Sequence, residues 1–120
     1  FLLLPFLFVG CKAEKTPVTF EQITPEKAKA VMEKEPDCVI LDVRTEEEFA
    51  SGHIKGAILI PEYEISERAE KELPNKDQLI LVYCRSGRRS KIASQALADL
   101  GYTNVKEFGG IIDWQYEIVK

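Results

Sequence analysis

Short apolar runs alternate with helical patterns along this chain from residue 18 onward. The apolar runs predict strands at 18–23, 38–43, 57–60, 78–83 and 104–108. Apolar residues that recur every three or four positions predict helices at 24–34, 61–73, 90–101 and 111–119. Because strands and helices alternate, the pattern predicts an α/β domain with a mostly parallel sheet and helices on both faces.

Two local signals support the helix predictions. Thr45 and Glu48 have the spacing of a capping box, which predicts a helix start after the second strand. The most regular helical pattern, at 90–101, places its apolar residues on one side: Ile92, Ala93, Ala96, Leu97 and Leu100. Active sites of open parallel sheets form at the carboxyl ends of the strands. The residues that follow the strands at 38–43 and 78–83 are therefore the places to look for chemistry.

The first residues of the chain have a different pattern. Residues 1–9 are apolar, and Phe8-Val9-Gly10-Cys11 resembles a bacterial lipobox, in which the cysteine is lipidated. The segment is typical of the apolar part of a signal peptide, and a truncated transmembrane anchor is the alternative. We assign 1–17 to a signal and linker segment and 18–120 to the folded domain. Both interpretations predict a domain exported from a bacterial cell and anchored to its membrane through the N-terminus.

Composition narrows the functional classes. The formal net charge of -4 over 120 residues disfavours a general nucleic-acid-binding protein. An odd count of three cysteines disfavours a disulfide framework, and a single histidine does not complete a usual zinc site. We therefore expect no nucleic-acid partner, no metal and no cofactor.

One segment combines a cysteine with a local concentration of positive charge. Cys84 follows an apolar run, and the next residues supply a serine, a glycine and three arginines: Arg85, Ser86, Gly87, Arg88 and Arg89. The glycine permits a tight turn, whose backbone N–H groups favour an anion together with the arginines and the start of the next helix. Such surroundings favour the thiolate, which is the nucleophilic form of cysteine. We predict that Cys84 attacks a small oxyanion or a sulfur compound.

The spacing within this loop distinguishes two chemistries. Cysteine phosphatases use C-x5-R, in which the arginine grips the phosphate. Here Arg89 follows Cys84 after four intervening residues, and Ser90 stands where the phosphatase motif has arginine. The smaller ring favours a sulfur atom bound to the cysteine, and it disfavours phosphatase or arsenate reductase activity.

Three segments together resemble the rhodanese family in its single-domain form: "ILDVRTEEEFASGHIKGAILIP" (40–61), "VYCRSGRRS" (82–90) and "GYTNVKEFGGIIDW" (101–114). They follow one another in the family's order, and the one departure is Lys55, where the family usually has proline in a turn. The resemblance implies a rhodanese-like, five-stranded parallel sheet in the order 1-5-4-2-3. It also implies a sulfurtransferase in which Cys84 carries a persulfide stabilised by the loop backbone from Arg85 to Arg89. The donor would be a small sulfur-containing anion such as thiosulfate, and the acceptor a thiol, on a small molecule or a protein, or cyanide.

Asp42 and Arg44 lie at the carboxyl end of the second strand and would lie beside the Cys84 loop if the second and fourth strands are neighbours. We expect Asp42 to anchor the loop through hydrogen bonds to arginine or backbone N–H groups, and Arg44 to pair with Glu48. A purely structural role is the alternative for both. His53 is the only histidine, and we expect it to have a structural role in a turn.

The C-terminal segment provides two further expectations. Gly109 and Gly110 let the backbone turn sharply before the closing helix, close to the Cys84 loop. Trp114 and Tyr116 are expected to pack in the core.

Two functions remain open at this point. The leading hypothesis is an enzyme, a membrane-anchored sulfurtransferase of the rhodanese type. The alternative is a carrier or binding module, in which Cys84 holds sulfane sulfur for a protein partner with little turnover of thiosulfate. Turnover with thiosulfate and a small thiol distinguishes the two.

Overall fold

The computed structural model describes residues 19–120, which contain seven strands and four α-helices. The strands are β1 (Glu21–Gln22), β2 (Val39–Asp42), β3 (His53–Ile54), β4 (Ile58–Leu59), β5 (Ile80–Cys84), β6 (Val105–Gly110) and β7 (Ile118–Val119). The helices are α1 (Pro25–Lys34), α2 (Glu46–Ser51), α3 (Ile65–Glu72) and α4 (Arg88–Asp99). Single 3-10 turns lie at Glu62–Glu64 and Ile111–Asp113.

Five strands form the main sheet, in the order β1-β6-β5-β2-β4, and every pairing in it is parallel. Numbered among themselves, these strands have the order 1-5-4-2-3. The expected α/β fold and strand order are therefore confirmed. Strand β5 lies in the middle of the sheet and is buried along its whole length. A strand covered on both faces needs apolar side chains in both directions, which explains the continuous apolar run.

Helices cover both faces of the sheet, as the alternating pattern predicts. On one face α3 and α4 pack on the sheet around a core that includes Leu41, Ile65, Val82, Ala93 and Leu97. On the other face α1 and the C-terminal segment pack around a second core that includes Ala28, Leu81, Tyr83, Phe108 and Trp114. The packed side of α4 is narrower than expected, because Ile92 is 45% exposed.

The capping box before α2 is present. The Thr45 hydroxyl oxygen accepts a hydrogen bond from the Glu48 N–H at 3.2 Å, and the Glu48 carboxylate accepts one from the Thr45 N–H at 3.0 Å. These two bonds satisfy N–H groups that a helix start otherwise leaves unpaired. The capping box also holds the Glu48 side chain in place in the first turn of α2.

The predicted closing helix at 111–119 is wrong. The chain instead makes one 3-10 turn and then forms β7, which pairs antiparallel with β3. The large apolar residues Trp114, Tyr116 and Ile118 alternate with polar ones, which is the period of a strand. Trp114 packs at 9% exposure in the core, as expected, but Tyr116 is 38% exposed.

Within residues 19–120, no helix has both the length and the apolar character that crossing a bilayer requires. The signal and lipobox prediction concerns residues 1–17, and Cys11 lies outside the described residues.

Candidate active site

The carboxyl ends of β2, β5 and β6 meet at one edge of the sheet, and Cys84 is the last residue of β5. On one side of β5, Asp42 lies beside Tyr83 in the β2 register. On the other side, Cys84 pairs with Gly110, the last residue of β6. The expected proximity of the second and fourth strands is confirmed, and Asp42 and Cys84 lie at the same edge.

A tight turn encloses the sulfur of Cys84. Strand β5 runs directly into residues 85–87, and α4 begins at Arg88, two residues earlier than the helical pattern indicated. Gly87 has a φ of 112°, a left-handed conformation that favours glycine, and its N–H donates to Cys84 Sγ at 3.0 Å. Ser90, in the first turn of α4, places Oγ 3.4 Å from the same sulfur. Cys84 is only 1% exposed, so these groups supply its polar surroundings.

Hydrogen bonds decide the protonation of Cys84. Burial raises the pKa of the thiol, because it disfavours the charged form. Hydrogen bonds from the Ser90 hydroxyl and from the backbone N–H groups of Ser90, Gly87 and Ser86 act in the opposite direction and outweigh burial. The pKa of Cys84 therefore lies below its ordinary value of 9.0, which favours the nucleophilic thiolate.

The three arginines after Cys84 do not form one cationic group. Arg89 makes a two-pronged ion pair with Glu48, with nitrogen–oxygen distances of 2.8 and 3.0 Å. This pair lowers the pKa of Glu48 to about 2, so the carboxylate stays charged and neutralises Arg89. Arg85 and Arg88 are exposed, and neither forms a salt bridge within residues 19–120. Of the three arginines, Arg85 and Arg88 are therefore the two whose charge is open to an anion in solution.

Gly110 lies directly against the turn after Cys84. A Cβ atom at this position would come within 2.0 Å of the Arg85 carbonyl oxygen and 2.5 Å of Ser86 Cα. Only glycine permits this approach, which confirms that the glycine pair comes close to the loop. The N–H of Ile112 also donates to the Arg85 carbonyl at 3.3 Å. The end of β6 thus packs directly against the backbone of the turn after Cys84.

Asp42 and Arg44 form a buried ion pair with each other. Their side chains meet at 2.7 Å, at 0% and 4% exposure. The expected Arg44–Glu48 pair is wrong, because the Arg44 guanidinium turns back to Asp42 and to the Gly52 carbonyl, and Glu48 is taken by Arg89.

The hydroxyl of Tyr83 completes this buried group. It donates to Asp42 at 2.5 Å and accepts from the Ile54 N–H at 3.1 Å. Burial and the adjacent Asp42 raise the pKa of Tyr83 well above its usual range, so the hydroxyl keeps its proton. The hydrogen bonds of Asp42 go to Arg44 and Tyr83, and none reaches residues 85–89. Through Tyr83 and Arg44, Asp42 thus links β2 to β5 and to the residues of and before β3, and it does not itself anchor the Cys84 loop as expected.

His53 lies at the start of β3, and its contacts are with α2 and β7. Its ring stacks on Phe49 with centroids 3.7 Å apart, and Nδ1 lies 2.8 Å from the Phe49 carbonyl oxygen. Its backbone pairs with Val119 of β7. The contacts of His53 are therefore those of a residue that joins α2 to β3.

The family model for the Rhodanese-like domain matches residues 24–117, which is most of the chain. The chain belongs to the rhodanese family. Two curated relatives agree with that assignment. The thiosulfate sulfurtransferase PspE of Escherichia coli (strain K12) is 41% identical over 73 residues, which cover 61% of this chain and 70% of PspE. A sulfurtransferase of Allochromatium vinosum is 42% identical over 79 residues, which cover 65% of this chain and 72% of that protein.

A solved rhodanese structure has the same arrangement of elements. The structure of a rhodanese with anions from Escherichia coli superposes with a TM-score of 0.64 at 39% identity, covering 68% of this chain and 96% of that one. That similarity supports the rhodanese fold of this chain.

One buried residue at the site was absent from the sequence predictions. Glu107, on β6, is 2% exposed, and its Oε2 lies 2.5 Å from Ser90 Oγ. Its side chain thus reaches the back of the Cys84 turn through Ser90. The sequence did contain a signal for Glu107. It is an acidic residue inside the predicted strand 104–108, and a charge is costly in a strand of a sheet covered on both faces. Ser90 itself entered only as the residue that replaces the phosphatase arginine.

Proposed function

We propose that this rhodanese-family protein transfers sulfane sulfur, and that Cys84 carries the sulfur as a persulfide. The observation that supports this most directly is the buried Cys84 sulfur, which receives the Gly87 N–H at 3.0 Å inside a turn of three residues. Backbone donors aimed at one sulfur stabilise a thiolate before the reaction and an anionic persulfide after it.

The proposed transfer has two displacement steps. The Cys84 thiolate attacks the outer sulfur of thiosulfate, a bond forms between the two sulfurs, and the bond to the sulfonate sulfur breaks with its electron pair leaving on sulfite. An acceptor thiolate or cyanide then attacks the outer sulfur of the persulfide. The Cys84–sulfur bond breaks, and Cys84 regains its electron pair as a thiolate.

Arg85 and Arg88 are suited to recognise the donor. Both are exposed at the mouth of the turn, and thiosulfate is a small dianion. Unpaired guanidinium groups raise the local concentration of such an anion and accelerate its approach. The names of the curated relatives, which include a thiosulfate sulfurtransferase, agree with a sulfur-containing donor.

The surroundings of Ser90 argue against phosphate chemistry. Ser90 occupies the position at which a phosphatase loop has its arginine, and it is fully buried. Its hydroxyl lies 2.5 Å from the Glu107 carboxyl group. A phosphate in this loop would therefore lack the gripping arginine.

A mass measurement tests the proposal. Purified protein is incubated with thiosulfate and its intact mass is determined, and cyanide or a small thiol is then added and the product is measured. We expect wild type to gain one sulfur and to lose it to the acceptor. Cys84→Ser should do neither, whereas Cys38→Ser, which removes the other free thiol among residues 19–120, should behave as wild type.

Each of the other outcomes has a definite meaning. Sulfur uptake without release to a small acceptor would favour the carrier module. Failure of wild type to gain sulfur, or hydrolysis of p-nitrophenyl phosphate that depends on Cys84, would contradict the sulfurtransferase proposal.

We also propose that the domain is exported and anchored to the membrane through lipidated Cys11. This proposal rests on the sequence of residues 1–17 alone. Two acyl chains suffice for stable anchoring. Cell fractionation of wild type and Cys11→Ser tests it, and retention of the variant in the membrane would favour an uncleaved anchor helix instead.

A further inference from the structure

A buried carboxyl group lies behind the nucleophile, and the sulfur-transfer steps above do not use it. Glu107 is 2% exposed, and no lysine or arginine within residues 19–120 forms a salt bridge with it. Its Oε2 accepts the Gly109 N–H at 2.9 Å and lies 2.5 Å from Ser90 Oγ. Its Oε1 lies 3.4 Å from the Gln22 amide nitrogen. A buried carboxylate without a cation is costly, and gaining a proton removes that cost.

Ser90 connects this carboxyl group to the reactive sulfur. Its Oγ lies 3.4 Å from Cys84 Sγ on one side and 2.5 Å from Glu107 Oε2 on the other, and all three side chains are buried. A serine hydroxyl has one proton to donate and two lone pairs with which to accept. Ser90 therefore donates to the carboxylate while the thiol donates to Ser90, or it donates to the thiolate while a protonated carboxyl donates to Ser90.

These two arrangements contain the same atoms and the same number of protons. We propose that Cys84 and Glu107 share one proton through Ser90, and that Glu107 holds this proton for as long as Cys84 is a thiolate or carries sulfur. In the forward transfer, the S–H bond of Cys84 breaks and the proton passes to Ser90 Oγ, while the Ser90 O–H proton passes to Glu107 Oε2. Glu107 acts through Ser90 and does not contact the sulfur, so it is a positioning residue.

Proton storage fits the overall stoichiometry of the proposed reaction. Thiosulfate and cyanide carry three negative charges in total, and so do sulfite and thiocyanate, so one turnover neither consumes nor releases a proton. When the acceptor removes the sulfur, the Cys84 thiolate regains the stored proton by the reverse path. The buried site then carries one negative charge at every stage, and the like-charge repulsion between a thiolate and a carboxylate is avoided.

Few other charged groups face Glu107. It lines a cavity of about 300 Å³ between the N-terminus of α1, the Cys84 turn and α4. The charged side chains that line the same cavity are Lys91 of α4 and Asp113 of the 3-10 turn, and β1 contributes only the neutral Gln22. Among residues 19–120, Cys84 is thus the one other titratable group that is connected to Glu107 by hydrogen bonds through Ser90.

The rate of Cys84 alkylation by iodoacetamide as a function of pH tests this sharing without any sulfur donor. Two coupled groups lose protons in two macroscopic steps. We expect the wild-type rate to rise to a plateau with the first proton loss and to rise again with the second. Glu107→Gln has the same shape and stays neutral at every pH, as the protonated carboxyl group does, so Cys84 should ionise in a single step and the second rise should disappear. Ser90→Ala should lower the first plateau by about tenfold or more, because it removes a hydrogen bond to a charged group.

A matched control and an independent readout complete the test. Gln22→Ala removes the other side-chain neighbour of Glu107 and should keep both rises. Infrared spectra of the thiosulfate-loaded protein should contain a protonated-carboxyl band that shifts in D₂O and is lost in Glu107→Gln. A single rise in wild type that moves to lower pH in Glu107→Gln, or a loaded wild type without the band, would overturn the proposal.

The infrared arm rests on the proposed function, whereas the alkylation arm does not. Wild type that fails to take up sulfur but retains two alkylation rises would therefore contradict sulfur transfer and leave proton sharing supported.

Discussion

Replacement of Gly110 by alanine should disable the active site while leaving the domain folded. Gly110 has an extended backbone with a φ of -131°, which alanine adopts without strain. The problem is space, because the new Cβ atom would lie 2.0 Å from the Arg85 carbonyl oxygen and 2.4 Å from the Arg85 carbonyl carbon. Both atoms belong to the backbone of the Cys84 turn, so no side-chain rotation relieves the collision.

The size of the effect follows from the distance that the turn must move. Real Cβ contacts essentially never fall below 3.0 Å, so the Arg85 backbone must retreat by about 1 Å, and a displacement of that size costs about 100-fold in the rate of a positioned reaction. Overpacking of this kind costs about 1–3 kcal/mol in the free energy of unfolding. The exposed turn has room to move outward, which places the stability cost toward the lower end.

Gly109→Ala is the matched control, because it should strain the backbone at the substituted residue without a collision with the Cys84 turn. Gly110→Ala should do the opposite. Gly109 has a φ of 93°, and forcing an alanine into that left-handed conformation costs about 1–2 kcal/mol in stability. A Cβ atom there meets nothing within 4 Å, so the turn keeps its place. The two variants should therefore lose similar stability, while only Gly110→Ala loses most of its activity.

The assay combines urea unfolding with the rate of sulfur transfer from thiosulfate to cyanide and with the mass of the loaded protein. Transfer by Gly110→Ala at close to the wild-type rate would refute the argument that β6 positions the turn. Equal losses of activity in Gly109→Ala and Gly110→Ala would show that the glycine pair acts through stability alone.

Three further predictions concern charged residues at or beside the site. The lowered pKa of Glu48 contributes stability that is present above pH 4.5 and lost as pH falls toward about 2, so acid unfolding of wild type and Glu48→Gln should converge in that window. Asp42→Asn should lower the free energy of unfolding by about 3–5 kcal/mol, because Arg44 stays buried without its partner, and His53→Ala should cost less. Arg88→Gln should raise the KM for thiosulfate but leave the pH midpoints of Cys84 alkylation unchanged.

Periodicity and the alternation of elements were sufficient to predict an α/β domain with a parallel sheet, because those properties are local or nearly so. The strand order came from the resemblance to the rhodanese family. Strand β5 is buried on both faces and reads as an uninterrupted apolar run, and α4 repeats its packed side through Ala93 and Leu97. The helix prediction for 111–119 was wrong because β7, a strand of two residues, gains its stability from pairing with β3. That partner lies more than sixty residues earlier in the chain. The alternation of Trp114, Tyr116 and Ile118 fits a strand, but it does not identify the strand with which the segment pairs.

The pairing of side chains was the part that the sequence did not predict. Glu48 and Arg89 are 41 residues apart, and they meet because the capping box aims Glu48 toward the start of α4. The interpretation of three arginines around a thiol therefore overstated the positive charge at the sulfur. A count of charges along the chain carries no information about which of them neutralise one another after folding.

The corrected charge distribution separates two tasks that the sequence had assigned to the same arginines. The groups that lower the pKa of Cys84 are neutral donors, the Ser90 hydroxyl and the backbone N–H groups of Ser90, Gly87 and Ser86. Such donors are fixed by the turn and are insensitive to salt, whereas exposed charges are screened over about 10 Å at 0.1 M ionic strength. If Arg85 and Arg88 serve only to attract the donor, salt must weaken thiosulfate binding without changing the reactivity of the thiol. The reactivity of the thiol then depends on the buried donors of the turn and of Ser90, and the attraction of an anionic substrate depends on two surface side chains.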